Sequence, residues 1–574
     1  MILPIVRREI GEGSLGADLH PVLDRIYRGR NIQILEELDT GLKGLAHYNG
    51  LKGIEQAATI VADAIEHNKT LTIVGDFDAD GATSTAVCML AMQQMGAASV
   101  NFLVPNRFDF GYGLSVPIVD IAHEQGSQVI ITVDNGIACV EGVERAKALG
   151  MQVVVTDHHL PGELLPNADA IVNPNQPGCS FVSKHIAGVG VAFYLMLAIK
   201  AELASREWFT RKQITPPNLA DLLDIVAVGT VADVVTLDKN NRILVHQGLQ
   251  RIRSGRCRPG IQAIVDVAGR EGTHLTSTDL GFVVGPRLNA AGRLDDMALG
   301  IACLMENNVL QARMMAAELD SLNRERREIE AGMKAQAEQT LKAMELDEGD
   351  IPSALVVYQE DFHQGVVGIV AGRLKEKYLR PVIAFAHQDD KVIKGSARSI
   401  SGVHIRDVLD EVNTKHPNII EKFGGHAMAA GLSIPLTHLE AFTRAFVTVT
   451  EQHLAKLDGQ QVILSDGQLT HHDISLPFAK ILRQSGPFGQ GFDAPLFDGV
   501  FTLVQQRIVG EKHLKMVLRD DSGKEVDAIA FNVDIDAWPN NHVHQVSLAY
   551  RLDINVFRGQ ESVQFIVEQI TPYG

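Results

Sequence analysis

Three aspartates stand within five residues, directly after a short apolar run. Asp76, Asp78 and Asp80 follow the run Leu71–Val74, and Gly81 comes next. Carboxylates this close to one another repel, and packing them without a cation would cost free energy. Oxygen ligands grouped in this way suit Mg²⁺ or Mn²⁺. A solvated acidic turn is the competing interpretation, and this segment by itself leaves both open.

Other acidic positions also follow apolar runs, and we interpret each of these runs as a strand with the acidic residue at its end. The carboxyl ends of parallel strands share one edge of a sheet, and ligands bind there. We therefore expect the segments at Asp76, Asp134 and Asp157 to converge on one crevice. Any one of them alone could be a helix cap or a turn, whereas coincidence explains the whole set poorly. The further acidic residues and their runs are Asp134 after Val129–Val133, Asp157 after Val153–Thr156, and Asp233 after the stretch Leu222–Val228.

Two adjacent histidines follow Asp157. On extended backbone, neighbouring side chains point to opposite faces. We therefore expect one of His158 and His159 to bind metal directly and the other to support the ligands or contact the substrate. A lone histidine is more often a satisfied core residue, but both of these stand beside carboxylates.

Strand-like and helix-like segments alternate between residues 71 and 157. Each short run of valine and isoleucine is followed by a polar or glycine-rich turn. This succession predicts a doubly wound parallel sheet. A proline-free helical segment at 308–344 is typical of a helix that connects domains, and a second α/β unit follows it.

About five strand-like segments after residue 461 predict a small β-barrel. Hairpin turns such as Arg558–Gln560 separate them. An OB-like barrel is one such fold, and it commonly binds single strands of nucleic acid. We therefore expect a multidomain α/β protein. The expected parts are an N-terminal segment 1–50, a catalytic domain 51–305, a connecting helix 306–350, a substrate-binding α/β domain 351–455 and a barrel domain 456–574.

Composition is that of a globular protein, with 45% hydrophobic and 21% charged residues in 574. The longest apolar runs fall short of eighteen residues, and the first residues lack the apolar stretch of a signal peptide, so neither a membrane span nor secretion is expected. Five cysteines without CxxC spacing predict a cytoplasmic protein with no structural zinc site. The net charge of −18 argues mildly against coating nucleic acid, although a local basic track would suffice for an enzyme.

The acidic and histidine segments resemble the four motifs of the DHH phosphoesterase superfamily. That resemblance implies hydrolysis of phosphodiester or phosphoanhydride bonds with two metal ions, Mn²⁺ or Mg²⁺. It also implies that Asp134 bridges the two ions, and that Asp157 and His159 support the ligands or take part in catalysis. Which aspartates of the first motif bind directly stays open. The ligands implied by the resemblance are Asp76, Asp78, Asp80, Asp134, His158 and Asp233.

Segments further along the chain resemble the RecJ exonuclease group of that superfamily. The resemblance covers nearly the whole chain, and it identifies 51–305 as the DHH domain and 351–455 as the DHH-associated domain. It implies degradation of single-stranded DNA from the 5′ end in recombination, repair and mismatch excision. It also implies two partners, a single-stranded DNA-binding protein and a RecQ-type helicase. The segments are Pro105–Arg107, Gly111–Leu114, Gly285–Arg293, His363–Arg373, Lys394–Ser399 and Gly486–Gly491. A further segment, Gly424–Gly431, resembles the glycine-rich signature of the DHH-associated domain, although a pair of glycines also fits a tight turn.

These segments have the side chains of a nucleic-acid track. Arginine offers planar, bidentate contacts to phosphate, and glycine lets backbone amides approach it. Ser396 is expected at a terminal 5′ phosphate, and Tyr112 is expected to stack on a base. The predicted DNA-binding residues are Arg107, Tyr112, Arg287, Asn289, Arg293, Gln364, Ser396, Arg398, Gly425 and His426.

Two competing functions fit parts of the sequence. One is a DHH phosphoesterase acting on cyclic dinucleotides, very short RNA or pyrophosphate, but a small substrate needs neither the barrel nor the arginine-rich segments. The other is a catalytically inactive DNA-binding scaffold. An inactive scaffold is expected to lack some of the metal ligands, whereas each candidate ligand is present in this sequence.

Overall fold

The chain divides into two units. The first comprises residues 1–289, 297–317 and 461–574, and the second comprises residues 290–296 and 318–460. A computed structural model describes residues 2–105, 113–343, 352–389, 391–400, 402–425, 428–455 and 462–573, with the side chains of 340–343 excepted.

A five-stranded parallel sheet lies at the centre of the first unit, and its strand order is β3-β2-β4-β5-β6. The chain runs from β2 outward to β3 and then returns to β4 on the other side of β2. The crevice at such a reversal is where open α/β sheets bind ligands. The doubly wound sheet is therefore confirmed, and β6 is a strand that the sequence did not predict. The five strands are β2 (Leu71–Val74), β3 (Val100–Leu103), β4 (Val129–Val133), β5 (Gln152–Thr156) and β6 (Ala170–Val172), and β1 (Ile5–Arg7) lies outside this sheet.

Helices connect and cover these strands. One of them corrects an expectation: the apolar stretch before Asp233 is the helix α8, and Asp233 is its C-cap. The residues Leu223 to Thr230 are all buried, so the stretch has no polar face and periodicity could not distinguish helix from strand. The helices are α1 (Pro21–Arg28), α2 (Ile54–Glu66), α3 (Ala79–Gln94), α4 (Val116–Glu124), α5 (Val140–Ala148), α6 (Gly188–Ser205), α7 (Trp208–Lys212), α8 (Leu223–Ala232), α9 (Lys239–Arg253) and α10 (Pro259–Val267).

A helical stretch at 277–294 contains one π-helical segment. It consists of α11 (Ser277–Asp279), the π-helix Leu280–Val284 and α12 (Gly285–Leu294). After α13 (Ala298–Met305), the helix α14 (Val309–Ala343) begins in the first unit and ends in the second. The predicted long connecting helix is thus confirmed. Short 3-10 helices lie at Leu35–Leu38, Leu42–Gly44, Tyr48–Gly50, Leu219–Leu222, Gly272–His274 and Leu436–His438.

A mixed five-stranded sheet forms the second unit, in the order β10-β11-β9-β8-β7. Only β7 and β8 are parallel neighbours. Phe385, Phe442 and Phe446 lie in the core between the sheet and its helices. The elements are β7 (Leu355–Tyr358), α15 (Val367–Tyr378), β8 (Val382–His387), β9 (Val392–Arg398), α16 (Ile405–Lys415), β10 (Lys422–Gly425), β11 (Ala429–Pro435) and α17 (Leu439–Leu454).

A closed five-stranded barrel ends the chain, in the order β13-β14-β15-β17-β16, which confirms the OB-like fold. Arg558 and Gly559 both have positive φ and form the two-residue turn of the last hairpin. Before the barrel, β12 pairs in parallel with β1. The elements are β12 (Ile463–Ser465), α18 (Leu476–Gln484), β13 (Phe497–Val509), β14 (His513–Arg519), β15 (Glu525–Ala530), β16 (Gln545–Phe557) and β17 (Gln560–Pro572).

Within the described ranges, α6 alone has the length and apolar composition that could cross a membrane. It is mostly buried inside the first unit, where it packs against α2, α3 and α8. These contacts identify α6 as a core helix of this unit, because its apolar surface is covered by neighbouring helices on several sides.

Candidate metal centre

The first acidic motif forms the turn between β2 and α3. Asp78 caps α3, and its Oδ1 accepts hydrogen bonds from the backbone amides of Asp80 at 2.9 Å and Gly81 at 3.0 Å. The Asp76 carboxylate accepts from the amide of Phe77 at 2.8 Å. A Cβ at Gly81 would lie 2.5 Å from the carbonyl oxygen of Asp76. Only glycine therefore lets the helix begin this close to the end of the strand.

Asp80 is buried and points at the N-terminus of α6. Its two oxygens accept from the amides of Gly188 at 2.7 Å and Val189 at 2.8 Å. Burial, together with the nearby Asp78 carboxylate, nevertheless raises the pKa of Asp80 to about 7. The amides orient this carboxylate without supplying a full positive charge.

Asp134 follows β4 at the point where the strand order reverses. Its φ of +61° is a left-handed conformation, which is uncommon for a residue other than glycine. The side chain is buried, and a Cβ at Gly188 would lie 2.7 Å from its Oδ1. Burial and the charges of Asp80 and Asp78 raise the pKa of Asp134 well above its ordinary value. The structure thus holds a carboxylate here at a free-energy cost.

The two histidines do not point to opposite faces, so that prediction is wrong. Their ring centroids lie 4.5 Å apart. The chain turns after β5 because the Asp157 carboxylate accepts from the amides of both His158, at 2.7 Å, and His159, at 3.1 Å. Extended geometry ends at Asp157, and the alternation of faces ends with it.

The two rings nevertheless have different partners. His158 Nε2 lies 3.1 Å from Asp134 Oδ1 and 3.4 Å from Asp233 Oδ2. His159 Nδ1 lies 2.7 Å from Asp157 Oδ1. Burial acts to lower the pKa of His159, but the bond to Asp157 outweighs it and raises that pKa to about 9. His158 therefore faces the carboxylate cluster, whereas the ring of His159 is bound by Asp157, which raises its pKa.

Asp233 reaches the cluster from the end of α8. Close helix packing places it there, since a Cβ at Gly229 would lie 2.1 Å from Thr83 Oγ1 on α3. Burial and the charges of Asp80 and Asp78 raise the pKa of Asp233 well above its ordinary value. Asp233 thus joins the crevice although no strand leads into it.

The eight predicted catalytic residues are therefore gathered at one place. Among these residues are three groups of possible metal ligands. Within each group, every residue offers one ligand atom, and these atoms all lie within 4.8 Å of one another. Carboxylate oxygens and imidazole nitrogens are suitable donors for Mn²⁺ and Mg²⁺. Several of these carboxylates have raised pKa values, so added positive charge would stabilise their ionised forms. The groups are Asp134 with His158 and His159, Asp80 with His158 and Asp233, and Asp76 with Asp78 and Asp134.

Two asparagines that the sequence analysis did not select support the histidines. Asn173 Nδ2 donates to the carbonyl oxygen of His159 at 2.9 Å, and Asn175 Nδ2 donates to that of His158 at 2.7 Å. Both follow β6, the strand that was also missed. The segment 173–175, with polar residues directly after a short apolar run, carried the same signal as the acidic motifs.

Two predicted DNA-binding residues lie in the first unit, on α12. The Asn289 side-chain oxygen accepts from the amide of Ala79 at 2.8 Å, so it holds the start of α3 beside the acidic cluster. Arg287 is buried, and its Nη1 donates to the carbonyl oxygen of Val283 at 2.7 Å. Both residues therefore have structural contacts besides any contact to DNA.

The other described candidates lie in the second unit. Arg398 Nη1 donates to Ser396 Oγ at 3.0 Å, and the two residues alternate along β9. Arg293 Nη1 donates to the carbonyl oxygen of Gly365 at 3.0 Å, and the Gln364 amide donates to the carbonyl oxygen of His387. Gly425 pairs with Ala430 in the same sheet. Arg107, Tyr112 and His426 lie outside the described residues.

Comparison with known proteins places these features in a family. The DHH family N-terminal domain matches residues 70–230, the DHHA1 domain 352–452 and the RecJ OB domain 465–569. The single-stranded-DNA-specific exonuclease RecJ of Escherichia coli strain K12 is 51% identical over 568 residues, which are 99% of this chain and 98% of that protein. The chain belongs to the RecJ family.

Solved RecJ structures agree with this assignment. RecJ from Thermus thermophilus in complex with Mn²⁺ has a TM-score of 0.78 and 26% identity, covering 100% of this chain and 79% of that one. Its complex with Mg²⁺ has a TM-score of 0.73 and 25% identity, covering 100% and 78%. RecJ from that organism therefore binds both ions that the donor set of this chain suits.

Proposed function

We propose that the protein is a metal-dependent exonuclease that degrades single-stranded DNA in the 5′ to 3′ direction. The observation that carries the proposal is the buried cluster of carboxylates and His158 at the strand-order reversal. RecJ proteins named as single-stranded-DNA-specific exonucleases match this chain over nearly its full length, which supports the substrate. The 5′ polarity is supported by family resemblance alone.

The donor set supports two ion positions that share one residue. Asp76 and Asp78 would hold one ion, and Asp80, His158 and Asp233 the other, while Asp134 lies next to both groups and would bridge them. Two bound ions would clamp the scissile phosphate and lower the pKa of the attacking water. The protein residues contribute orientation, because backbone amides hold Asp76, Asp78 and Asp80 and an asparagine holds the backbone of His158 before substrate arrives.

His159 is suited to proton transfer or phosphate binding beside these ligands. Asp157 holds its Nδ1 and raises the pKa of the ring to about 9 in the metal-free protein. Its Nε2 can therefore donate to a phosphate oxygen or to the leaving oxygen. Asp157 accepts four hydrogen bonds, from the ring of His159 and from the amides of Ile137, His158 and His159, and so acts by positioning.

The remaining candidates are proposed to guide the strand. Arg107, Tyr112, Arg287, Asn289 and Arg293 would contact the nucleotides nearest the reaction. Ser396 and Arg398, with Gln364, Gly425 and His426, would bind backbone or terminal phosphate from the second unit, and the barrel would bind the strand further along. The proposed domain boundaries, 1–50, 51–305, 306–350, 351–455 and 456–574, enclose the matched ranges of all three domain families.

The cellular role follows from the same resemblance. We propose a cytoplasmic enzyme of recombination and repair, including mismatch repair. It would work on strands supplied by a RecQ-type helicase and covered by single-stranded DNA-binding protein. Five free cysteines in the described chain support the reducing compartment.

The test uses strands labelled at either end, with Mn²⁺, Mg²⁺ or EDTA. We expect metal-dependent shortening from the 5′ end and survival of blunt duplex. Asp134→Ala should lower the rate at least about 100-fold, an effect that even residues supporting metal ligands can reach. Asp120→Ala is the matched control, because Asp120 is an exposed aspartate paired with Arg145.

Three other outcomes would contradict the proposal in different ways. Binding without cleavage would indicate a scaffold. Survival of long strands with consumption of dinucleotides or pyrophosphate would indicate another DHH activity. Shortening from the 3′ end would leave the metal chemistry in place and reverse the polarity.

A further inference from the structure

Two large apolar side chains are exposed on the segments that meet at the end of α8. Val234 follows Asp233 directly and is 63% exposed, and Phe282 is 76% exposed. An exposed apolar residue by itself is ordinary on a protein surface. Here, however, both belong to the elements that carry or touch the end of α8, where the metal centre begins.

The π-helix carries Phe282 and packs directly on the last turn of α8. A Cβ at Gly281 would lie 3.2 Å from Val231 Cγ1, and one at Gly285 would lie 3.1 Å from Ala232 Cβ. The residues on either side of Phe282 face inward, since Leu280, Val283 and Val284 are buried. Phe282 is thus the outward side chain of a segment in contact with the residues just before Asp233.

The start of the π-helix is fixed by polar contacts. Thr276 and Asp279 form a reciprocal capping box at α11, and Ser277 Oγ donates to the carbonyl oxygen of Phe488 at 2.5 Å. The π-helix is a rare form that occurs often at functional sites, because its extra residue redirects a side chain. A rigid base under an exposed phenyl ring suits a contact surface better than a mobile loop would.

Val234 has a backbone conformation that valine rarely adopts. Its φ is +59°, which a β-branched residue takes up only with strain. Strained residues persist where the surrounding structure imposes them, and they cluster at functional sites. The conformation turns the chain sharply after Asp233, so that the carboxylate faces inward while the apolar side chain of Val234 remains exposed.

We propose that Phe282, on the segment that packs against the last turn of α8, is a base-stacking platform for the nucleotide next to the scissile phosphate. The inference rests on the proposed function, and it names a substrate contact that the arginine and glycine segments do not supply. Every base has an aromatic face, so stacking on phenylalanine tolerates any sequence. It also requires a base that is free of a neighbouring stack, which favours single strands over duplex.

The test measures KM and kcat on single strands that carry one abasic residue at the first, second or third position from the end that is attacked. Phe282→Ala should raise KM about ten-fold on intact strands with little change in kcat, as loss of base–aromatic stacking would. At one abasic position the wild type should lose a similar factor. Phe282→Ala should be insensitive to the missing base at that position, because the two partners act as a pair.

Matched variants separate stacking from bulk and from folding. Phe282→Trp should restore the wild-type KM, whereas Phe282→Leu, which keeps apolar bulk without a ring, should not. Met314→Ala removes another exposed apolar side chain, on α14, and should behave as wild type. All of these positions are exposed, so the variants are expected to fold.

Two results would overturn the platform while leaving the proposed function standing. One is an unchanged KM in Phe282→Ala. The other is a raised KM that responds to each abasic position as strongly as the wild type does. If the wild type itself fails to degrade single strands with Mn²⁺ or Mg²⁺, the proposed function has failed and the platform falls with it.

Discussion

Two clusters of buried carboxylates in the first unit, one near the N-terminus and one at the metal centre, differ in how their charge is balanced. Near the N-terminus, Arg30 and Asp466 form two bonds, with Nη1 at 2.6 Å and Nη2 at 2.9 Å from the carboxylate oxygens. Their side chains are only 2% and 1% exposed. At the metal centre, Asp80, Asp134 and Asp233 crowd together around the ring of His158.

The pKa shifts record this difference. The cluster near the N-terminus also contains Arg7 and Asp498, since Asp498 accepts a hydrogen bond from Ser465, the residue before Asp466. Burial acts to raise the pKa of Asp498, but hydrogen bonds from Arg7 and Ser465 outweigh it and the pKa is lowered. At the metal centre, burial and neighbouring carboxylates act together and raise the pKa of Asp134 and Asp233. A buried charge without a counter-charge destabilises a fold. The first cluster is therefore neutralised from within the chain, and the second is built for cations from solution.

The largest effect is expected from a substitution in the cluster near the N-terminus, called the neutralised cluster below. Arg30→Met should destabilise the first unit by about 3–5 kcal/mol, because it removes both charged hydrogen bonds of the buried Asp466 and leaves only Arg8, whose Nε lies 3.9 Å from the carboxylate. Denaturant unfolding followed by tryptophan fluorescence measures this, since Trp208 and Trp538, the two tryptophans of the chain, both lie in the first unit. The double variant Arg30→Met/Asp466→Leu should recover most of the loss. A cost below about 1 kcal/mol in the single variant would remove the contrast.

The next effect concerns the metal centre. Mn²⁺ at about 100 times its Kd should stabilise the first unit by about 2.7 kcal/mol, because the ion binds the folded state. Asp134→Asn should abolish most of this gain and should leave the metal-free protein as stable as the wild type or more so. If Asp134→Asn instead destabilises the metal-free protein as Arg30→Met does, the carboxylates at the centre are neutralised by protein groups.

A smaller effect is expected from pH in the metal-free protein. Asp80 has a folded pKa of about 7, above its ordinary 3.8, so the folded state binds its proton more tightly than the unfolded state does. Its stabilising contribution is complete below pH 3.8 and is lost as pH rises toward 7. We expect a fall of at least about 1 kcal/mol from about pH 5 to about pH 7.5 in EDTA. Saturating Mn²⁺ should make the free energy of unfolding less dependent on pH over this range. An equal fall with Mn²⁺ present would contradict the assignment of the pH dependence to Asp80.

The smallest effect sharpens the comparison within the neutralised cluster. Arg7 pairs with Asp498 at 2.8 Å, but its side chain is 59% exposed. Solvent screening limits such a pair, so Arg7→Ala should cost less than about 1 kcal/mol. The same fluorescence measurement compares the loss of unfolding free energy in Arg7→Ala with that in Arg30→Met. Equal losses would indicate that ion pairing alone sets the loss, and a much smaller loss in Arg7→Ala would indicate that burial of the pair sets it.

Much of the catalytic sheet could be predicted because valine-rich runs followed by acidic turns carry a local signal. The strands at 71–74, 129–133 and 152–156 and the residues that follow them were found in this way. Asp233 was assigned to a strand because a helix buried on all sides has no polar face. The geometry of His158 and His159 was missed because it depends on two amide bonds to Asp157.

Long-range contacts lay beyond the reach of sequence patterns. Arg30 and Asp466 are 436 residues apart, and neither stands in a motif. Asn289 was selected for DNA, yet its oxygen also holds the amide of Ala79, which only the folded chain reveals. Phe282 gave no sequence signal, since a single phenylalanine in an apolar segment is normally part of a core.

The most direct test of the proposed two-ion centre is a Mn²⁺ titration followed by electron paramagnetic resonance at about pH 8, above the pKa of about 7 that Asp80 has in the metal-free protein. We expect two ions per chain with exchange coupling between them, because in the proposed centre Asp134 would bridge the two ion positions. Asp134→Asn should lose the coupling and weaken both ions, while Asp120→Asn should match the wild type. A single uncoupled ion, or binding that Asp134→Asn leaves unchanged, would contradict the claim that this cluster is a two-ion centre.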